Sequence, residues 1–168
     1  MNHVIRRFRP ADRDAMLAFA NSLPEHDLLF LGRDLRQPRV IEAWLEAIEA
    51  GWIDSFLAEA EDGIIVGSAA LLRDPHGWSA HVGEVRLLVM ADRRGHGLGR
   101  DLVEAVFAAA AAAHGLSKLT ASMTVDQAGS RTLLESVGFH QEALLAAHVR
   151  DQSGTAHDLA ILACTIGG

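Results

Sequence analysis

Three glycines alternate with other residues in the segment RRGHGLGRDL, which runs from Arg93 to Leu102 directly after the apolar stretch VRLLV. Because glycine has no side chain, the main-chain N–H groups around Gly95, Gly97 and Gly99 can approach a ligand closely. The segment precedes a predicted helix, and the unpaired N–H groups and dipole of a helix N-terminus favour an anion. Flanking arginines add positive charge. The spacing therefore predicts a phosphate-binding loop, with a diphosphate as the expected group.

Two familiar phosphate motifs do not fit this loop. The dinucleotide fingerprint G-x-G-x-x-G needs glycine where Arg100 stands, and an acidic residue about 20 positions further on that the stretch LSKLTASMTV does not offer. A P-loop needs lysine and a hydroxyl residue after its last glycine, whereas Gly99 is followed by Arg100 and Asp101. A tight strand-to-helix turn without any ligand is the alternative that stays open.

Hydrophobic periodicity predicts the elements that must position the loop. Strands are expected at 3–8, 55–61, 64–72, 80–90, 118–125, 142–151 and 155–166, and helices within 9–24, 39–51, 100–115 and 128–139. The mixed stretch from Glu25 to Pro38 predicts a loop with a short helical turn. This order shows no repeat or linker, so it indicates one mixed α/β sheet and a single domain over residues 1–168.

The amino-acid composition argues against several kinds of binding partner. The 168 residues carry a net charge of -7, which argues against nucleic-acid binding because that function usually needs a basic face. Cys164 is the only cysteine, so an internal disulfide is impossible and a reducing compartment is expected. The N-terminus has no apolar signal core, and the longest apolar run, Ala105 to Ala113, is too short to span a bilayer. We therefore expect a cytoplasmic protein with neither a nucleic-acid nor a membrane partner.

Nine histidines raise the question of a metal site. His148 and the pair His157–Asp158 fall on the two arms of the closing hairpin and could approach each other. The sequence contains no H-E-x-x-H pattern and no cysteine spacing typical of zinc. No metal is therefore expected.

The glycine loop resembles the acetyl-CoA signature [QR]-x-x-G-x-[GA] of the GNAT superfamily of N-acetyltransferases, which Arg94 to Gly99 fits in full. The strand before it, the helix after it and the later Gly138–Phe139 pair match the superfamily pattern too, so the resemblance covers essentially the whole chain. It implies a central mixed, largely antiparallel and splayed sheet of about seven strands flanked by about four helices.

The resemblance also implies that acetyl-CoA is the cosubstrate. The loop would hold the diphosphate, and exposed backbone of the fourth strand, where it splays from the fifth, would hold the pantetheine arm. The Val89 N–H would polarise the thioester carbonyl, a role in which a preorganised donor is worth roughly 3–4 kcal/mol. The expected cofactor-binding residues are Leu87, Leu88, Val89, Arg94, Gly95, His96, Gly97, Leu98, Gly99, Arg100, Gln127 and Ser130.

Glu84 stands where the superfamily often has a carboxylate that takes the proton of the attacking amine. The period of two in a strand puts Glu84 and Arg86 on one face. An ion pair between them would weaken Glu84 as a base. Both roles, catalytic base and ion-pair partner, stay open at this point.

The sequence departs from the superfamily at Leu134, which replaces the tyrosine that often protonates the departing thiolate. The chain contains no tyrosine at all. Water or a nearby group such as Ser130 would have to supply that proton, or acyl transfer is not the function.

The acceptor site is expected on the loop LPEHDLLFLGRD and on the hairpin turn VRDQSGTAHD, since loops on a rigid scaffold carry specificity. Glu25, Asp27 and Asp34 could bind a cationic amine, or could be solvated loop charges. The predicted function is acetyl transfer to a primary amine, with a small molecule favoured as acceptor. The alternatives are a protein N-terminus or lysine as acceptor, a non-catalytic acyl-CoA-binding sensor, and a nucleotide-binding regulator. A homodimer is compatible with the resemblance.

Overall fold

The computed structural model describes residues 2–167, which form seven strands and five α-helices. The strands are β1 (His3–Arg7), β2 (Ile53–Ala60), β3 (Ile65–Leu72), β4 (Val82–Val89), β5 (Lys118–Thr124), β6 (His140–Arg150) and β7 (Ala156–Thr165). The helices are α1 (Arg13–Ser22), α2 (Glu25–Leu28), α3 (Pro38–Glu49), α4 (Leu98–Ala112) and α5 (Ala128–Ser136).

The strands form one sheet in the order β1-β2-β3-β4-β5-β7-β6. Neighbouring strands are antiparallel except β4 and β5, which run parallel. Their pairing extends only from Val82 with Lys118 to Glu84 with Thr120, so the second halves of the two strands diverge. The predicted largely antiparallel, splayed sheet is confirmed.

The two faces of the sheet carry separate apolar cores. On one face α4 buries the stripe of Leu98, Leu102, Val106 and Ala110 against inward-facing residues of the strands. On the other face α1 and α3 pack with Leu88 of β4 in a second cluster. The period of two along β4 explains this division, because Val85 faces the first core and Leu88 faces the second.

Helix α2 accounts for the difference between the predicted four helices and the five observed in residues 2–167. It follows Pro24, occupies four residues within the stretch predicted as a loop with a short helical turn, and continues into a 3-10 turn at Leu29–Leu31. Leu28 and Leu31 are buried in the second core. An element this short spans about one helical turn, so hydrophobic periodicity gives little warning of it.

None of the helices between residues 2 and 167 combines the length and the apolar character needed to cross a bilayer.

Candidate active site

A cavity of about 730 Å³ opens where β4 and β5 diverge. Its walls come from the ends of both strands, from the glycine loop and from α5. Ten of the twelve predicted cofactor-binding residues line it: Leu87, Leu88, Val89, Arg94, Gly95, Gly97, Gly99, Arg100, Gln127 and Ser130. We call this cavity the cleft.

The two remaining residues lie elsewhere. Leu98 is buried in the first core, where it packs as part of the α4 stripe. His96 is exposed at the tip of the glycine loop and is not among the residues that line the cleft.

Backbone groups at the end of β4 face the cleft. The Met90 N–H donates to the Val66 carbonyl at 3.0 Å, and Val89 lies opposite Gly67 in the antiparallel register. Residues of an antiparallel pair alternate between exchanging hydrogen bonds with the partner strand and pointing their backbone groups away from it. The N–H and C=O of Leu87 and Val89 therefore point away from β3 and into the gap, whereas those of Leu88 face β3.

The glycine loop has an open backbone beside the cleft. Gly95 and Gly97 have φ of +81° and +82°, in the left-handed region that favours glycine, and a Cβ at either position would meet open space. Gly97 caps the N-terminus of α4, whose first turn presents N–H groups without intrahelical partners. Gly99 has a different role, since a Cβ there would lie 2.9 Å from Cδ2 of Leu133. This geometry suits an anion at the loop and close packing of α4 on α5.

Glu84 is joined to Arg86, and it is not among the residues that line the cleft. Nη2 of Arg86 lies 3.1 Å from Oε2 of Glu84. The same guanidinium lies 5.5 Å from the ring centroid of Trp44, whose Nε1 donates to the buried Ser55 hydroxyl at 3.1 Å. The pair therefore belongs to a packed polar cluster between β4 and α3.

Leu134 occupies the position of the missing tyrosine and is buried in the cleft wall. Hydroxyl groups of Ser122, Ser130, Thr132 and Ser136 also line the cleft. The Ser136 hydroxyl donates to the Leu133 carbonyl at 2.6 Å and is 3.4 Å from Nη2 of Arg100. Sequence reasoning missed Ser122, Thr132 and Ser136. Strand periodicity would have placed Ser122 on the second-core face of β5, opposite Ala121 and Met123.

The three carboxylates predicted for the acceptor occupy two places. Asp27 lines the cleft, whereas Glu25 and Asp34 line a second cavity of about 330 Å³ on the other side of α2. There Arg36 donates to Asp34 at 2.9 Å, and its Nη2 lies 3.4 Å from Glu25. Hydrogen bonding from Arg36 holds the pKa of Asp34 below its usual value.

Two histidines face each other at the end of β5. Nε2 of His26 lies 2.8 Å from Asp126 and 3.3 Å from the Thr124 hydroxyl, and the His157 ring stacks edge-on at 5.0 Å. Hydrogen bonding from His26 lowers the pKa of Asp126. Across residues 2–167, His, Cys, Asp and Glu side chains form no group of three or more that could hold a metal ion.

The fold and the cleft define a protein of the acetyltransferase class. The family model of the acetyltransferase (GNAT) domain matches residues 3–140 of this chain. The chain therefore belongs to the GNAT acetyltransferase family.

Solved structures resemble the whole chain. The ribosomal-protein-alanine N-acetyltransferase from Brucella melitensis is 26% identical, with a TM-score of 0.82, and the alignment covers 97% of this chain and 99% of that one. The putative acetyltransferase yncA from Salmonella typhimurium, determined with its cofactor acetyl-CoA, is 22% identical, with a TM-score of 0.81 and coverage of 100% and 96%. The phosphinothricin acetyltransferase from Sinorhizobium meliloti, in complex with acetyl-CoA, is 18% identical, with a TM-score of 0.83 and coverage of 99% and 90%. A search of the curated proteins found no match.

Proposed function

We propose that this protein is an acetyl-CoA-dependent N-acetyltransferase that transfers the acetyl group to a primary amine, with a small molecule as the favoured acceptor. The observation that carries the proposal is the divergence of β4 from β5 after Glu84 and Thr120. It leaves the backbone of Leu87 and Val89 facing a cavity whose mouth is the glycine loop.

Acetyl-CoA is the cosubstrate in this proposal, as it is in two of the solved neighbours. The cleft fits it in two respects. The open backbone at Gly95 and Gly97 suits the diphosphate, and the outward N–H and C=O groups of Leu87 suit an amide of an extended pantetheine arm.

The reaction is direct attack by the amine nitrogen on the thioester carbonyl carbon. A C–N bond forms and the C–S bond breaks, while the amine loses a proton and the departing thiolate gains one. In this proposal the Val89 N–H donates to the developing oxyanion, a contribution of roughly 3–4 kcal/mol where one such donor has been removed. The buried side chain of Leu134 has no proton to give, so we assign thiolate protonation to water or to a cleft hydroxyl such as Ser130.

Glu84 is assigned to the ion pair with Arg86. Its contacts support this role over that of a base, because Arg86 occupies its carboxylate and it does not line the cleft. The amine would then lose its proton to water.

A protein N-terminus is the second candidate acceptor. The Brucella neighbour, at 26% identity the most similar in sequence of the three structures described above, is named for acetylation of alanine in a ribosomal protein. A non-catalytic acyl-CoA sensor is the alternative supported by Leu134. A single domain over residues 1–168, a cytoplasmic location and a homodimer stay predictions from the sequence.

Thermal unfolding with acetyl-CoA, CoA, NAD and ATP added separately tests the cofactor. A ligand at about 100 times its Kd stabilises the native state by roughly 2.7 kcal/mol. We expect a rise in Tm with the two CoA species only, and a rise confined to NAD or ATP would contradict the proposal.

Release of free thiol then tests catalysis with two sets of acceptors, a panel of small primary amines and a peptide with an N-terminal alanine. Turnover of small amines alone is the expected result. Turnover of the peptide alone would show that the acceptor is a protein N-terminus and not a small amine. Acetyl-CoA binding without turnover of either set would favour the sensor and overturn the enzymatic proposal.

A further inference from the structure

The open end of the cleft is bridged by one side chain from α2. Oδ2 of Asp27 accepts a hydrogen bond from Nη2 of Arg94 at 2.9 Å, and Oδ1 accepts one from Nε2 of Gln127 at 3.0 Å. Arg94 follows β4 and Gln127 follows β5. Asp27 therefore joins the two walls at the end where β4 and β5 no longer pair with each other.

The bridge continues to the backbone of β4. The Arg94 guanidinium also donates to the Val89 carbonyl, from Nε at 3.3 Å and from Nη2 at 3.2 Å. Gln127 is the N-cap residue of α5. An uninterrupted chain of hydrogen bonds thus runs from the last residue of β4, through Arg94 and Asp27, to the start of α5.

The side chain of Asp27 is held firmly by its surroundings. We call its two hydrogen bonds, to Arg94 and to Gln127, the brace. The Asp27 side chain is only 13% exposed, whereas that of Arg94 is 47% exposed. A hydrogen bond to an ionised carboxylate is stronger than one between neutral groups, and the bond to Gln127 is partly buried.

The neighbours of Asp27 fix α2 as well, since His26 contacts Asp126 and Glu25 accepts from the Gln152 N–H at 2.8 Å. The segment therefore connects the turn after β5, the turn between β6 and β7, and the glycine loop.

We propose that Asp27 is a positioning residue that sets the separation of β4 and β5 at the open end of the cleft, and so determines affinity for acetyl-CoA. The inference rests on the proposed function and differs from the expectation that Asp27 binds the acceptor. Both oxygens of its carboxylate are already engaged by groups from the cleft walls. Without the brace, Arg94 and Gln127 would lose their common partner and the walls would be free to separate.

The Kd for acetyl-CoA, measured by calorimetry without an acceptor, distinguishes three possible roles of Asp27. They differ in the direction in which Asp27→Ala changes this Kd. A brace predicts that Asp27→Ala weakens binding about tenfold, because the variant loses both hydrogen bonds that join the cleft walls. A charge that merely repels the diphosphate predicts tighter binding in the variant. A ligand of the acceptor predicts an unchanged Kd and a raised KM for the amine. Either of the last two results would overturn the inference.

Asp34→Ala is the matched control. Asp34 is in the same stretch of chain, is also paired with an arginine, and lines the second cavity instead of the cleft. We expect its Kd for acetyl-CoA to stay within about twofold of wild type, because it makes no contact with the cleft walls.

Asp27→Asn keeps the test decisive if Asp27→Ala folds poorly, since it preserves the size of the side chain and removes the charge that pairs with Arg94, and it should also weaken binding. Gln127→Ala removes the other arm of the bridge. Because Gln127 is itself an expected contact of acetyl-CoA, the test is the double variant that carries changes at both positions. We expect a less than additive loss of affinity there, because both changes break one network. Full additivity would contradict the brace. If wild type itself fails to bind acetyl-CoA, the proposed function fails; if wild type binds and the variants bind equally well, only the brace fails.

Discussion

Single residues in this protein gain their roles from partners that strand periodicity only partly predicts. Glu84 and Arg86 were expected on one face of β4, and the ion pair between them is observed at 3.1 Å. The sequence left the choice between base and ion-pair partner open, because it does not reveal that Arg86 is also held over the Trp44 ring. That contact keeps the guanidinium beside the carboxylate.

Glu84→Gln tests this assignment at the residue scale. We expect a loss of about 1 kcal/mol in unfolding free energy, typical of a partly exposed pair, with kcat within about twofold of wild type and an unchanged pH–rate profile. Arg86→Gln breaks the same pair from the other side and should leave kcat equally unchanged, with a larger loss of stability because the contact with the Trp44 ring is lost too. A fall in kcat of a hundredfold or more in Glu84→Gln alone, with the acidic limb of the profile removed, would restore Glu84 as the base.

Helix α4 and its glycine loop form the element with the clearest sequence signal. The apolar stripe and the glycine spacing are both local patterns, and the structure places the helix start at Leu98, two residues before the predicted start at Arg100. The short α2 is the opposite case. Its importance lies in three consecutive side chains that contact three distant segments, and no local pattern encodes those contacts.

Gly97→Ala tests the loop at the element scale, with Gly115→Ala as a matched control. Both glycines have left-handed φ, +82° and +89°, and in both a Cβ would meet open space. Both variants should therefore lose similar stability, about 1 kcal/mol from strain in the backbone. Only Gly97 lines the cleft, so only its variant should raise the Kd for acetyl-CoA. Equal Kd values in the two variants would show that the loop is a turn and not a diphosphate site.

Two carboxylates held by arginine side chains contribute to the stability of the whole molecule. Two nitrogens of Arg6 donate to Asp12 at 2.8 Å, and the Arg9 N–H donates to the same carboxylate at 2.9 Å. The hydrogen bonds from Arg6 hold the pKa of Asp12 below its ordinary value of 3.8. Arg36 does the same for Asp34. A lowered carboxyl pKa stabilises the fold above the unfolded-state pKa, and this stabilisation is lost as the pH falls through the lowered value.

Asp12→Asn should therefore destabilise the whole molecule at neutral pH and have little effect in acid. We expect a loss of about 2 kcal/mol at pH 7, measured by urea unfolding, which shrinks as the pH falls below the ordinary value of 3.8. Asp14→Asn, at an exposed carboxylate of the same helical turn, is the control and should change little at either pH. A loss for Asp12→Asn that is equally large in acid would show that its packing, and not its charge, supports the fold.

Local patterns in the sequence predict the order of the longer elements, the apolar stripe of α4, the glycine-rich loop before it and the resemblance to the GNAT superfamily. These features depend on residues close together in the chain, where periodicity and glycine spacing act directly. Contacts between distant side chains depend on the tertiary structure. Asp27 reaches Arg94 across 67 positions and Gln127 across 100, and those contacts depend on how α2 lies over the diverging strands. Packing of distant segments sets that arrangement, so no local pattern in the chain could reveal it.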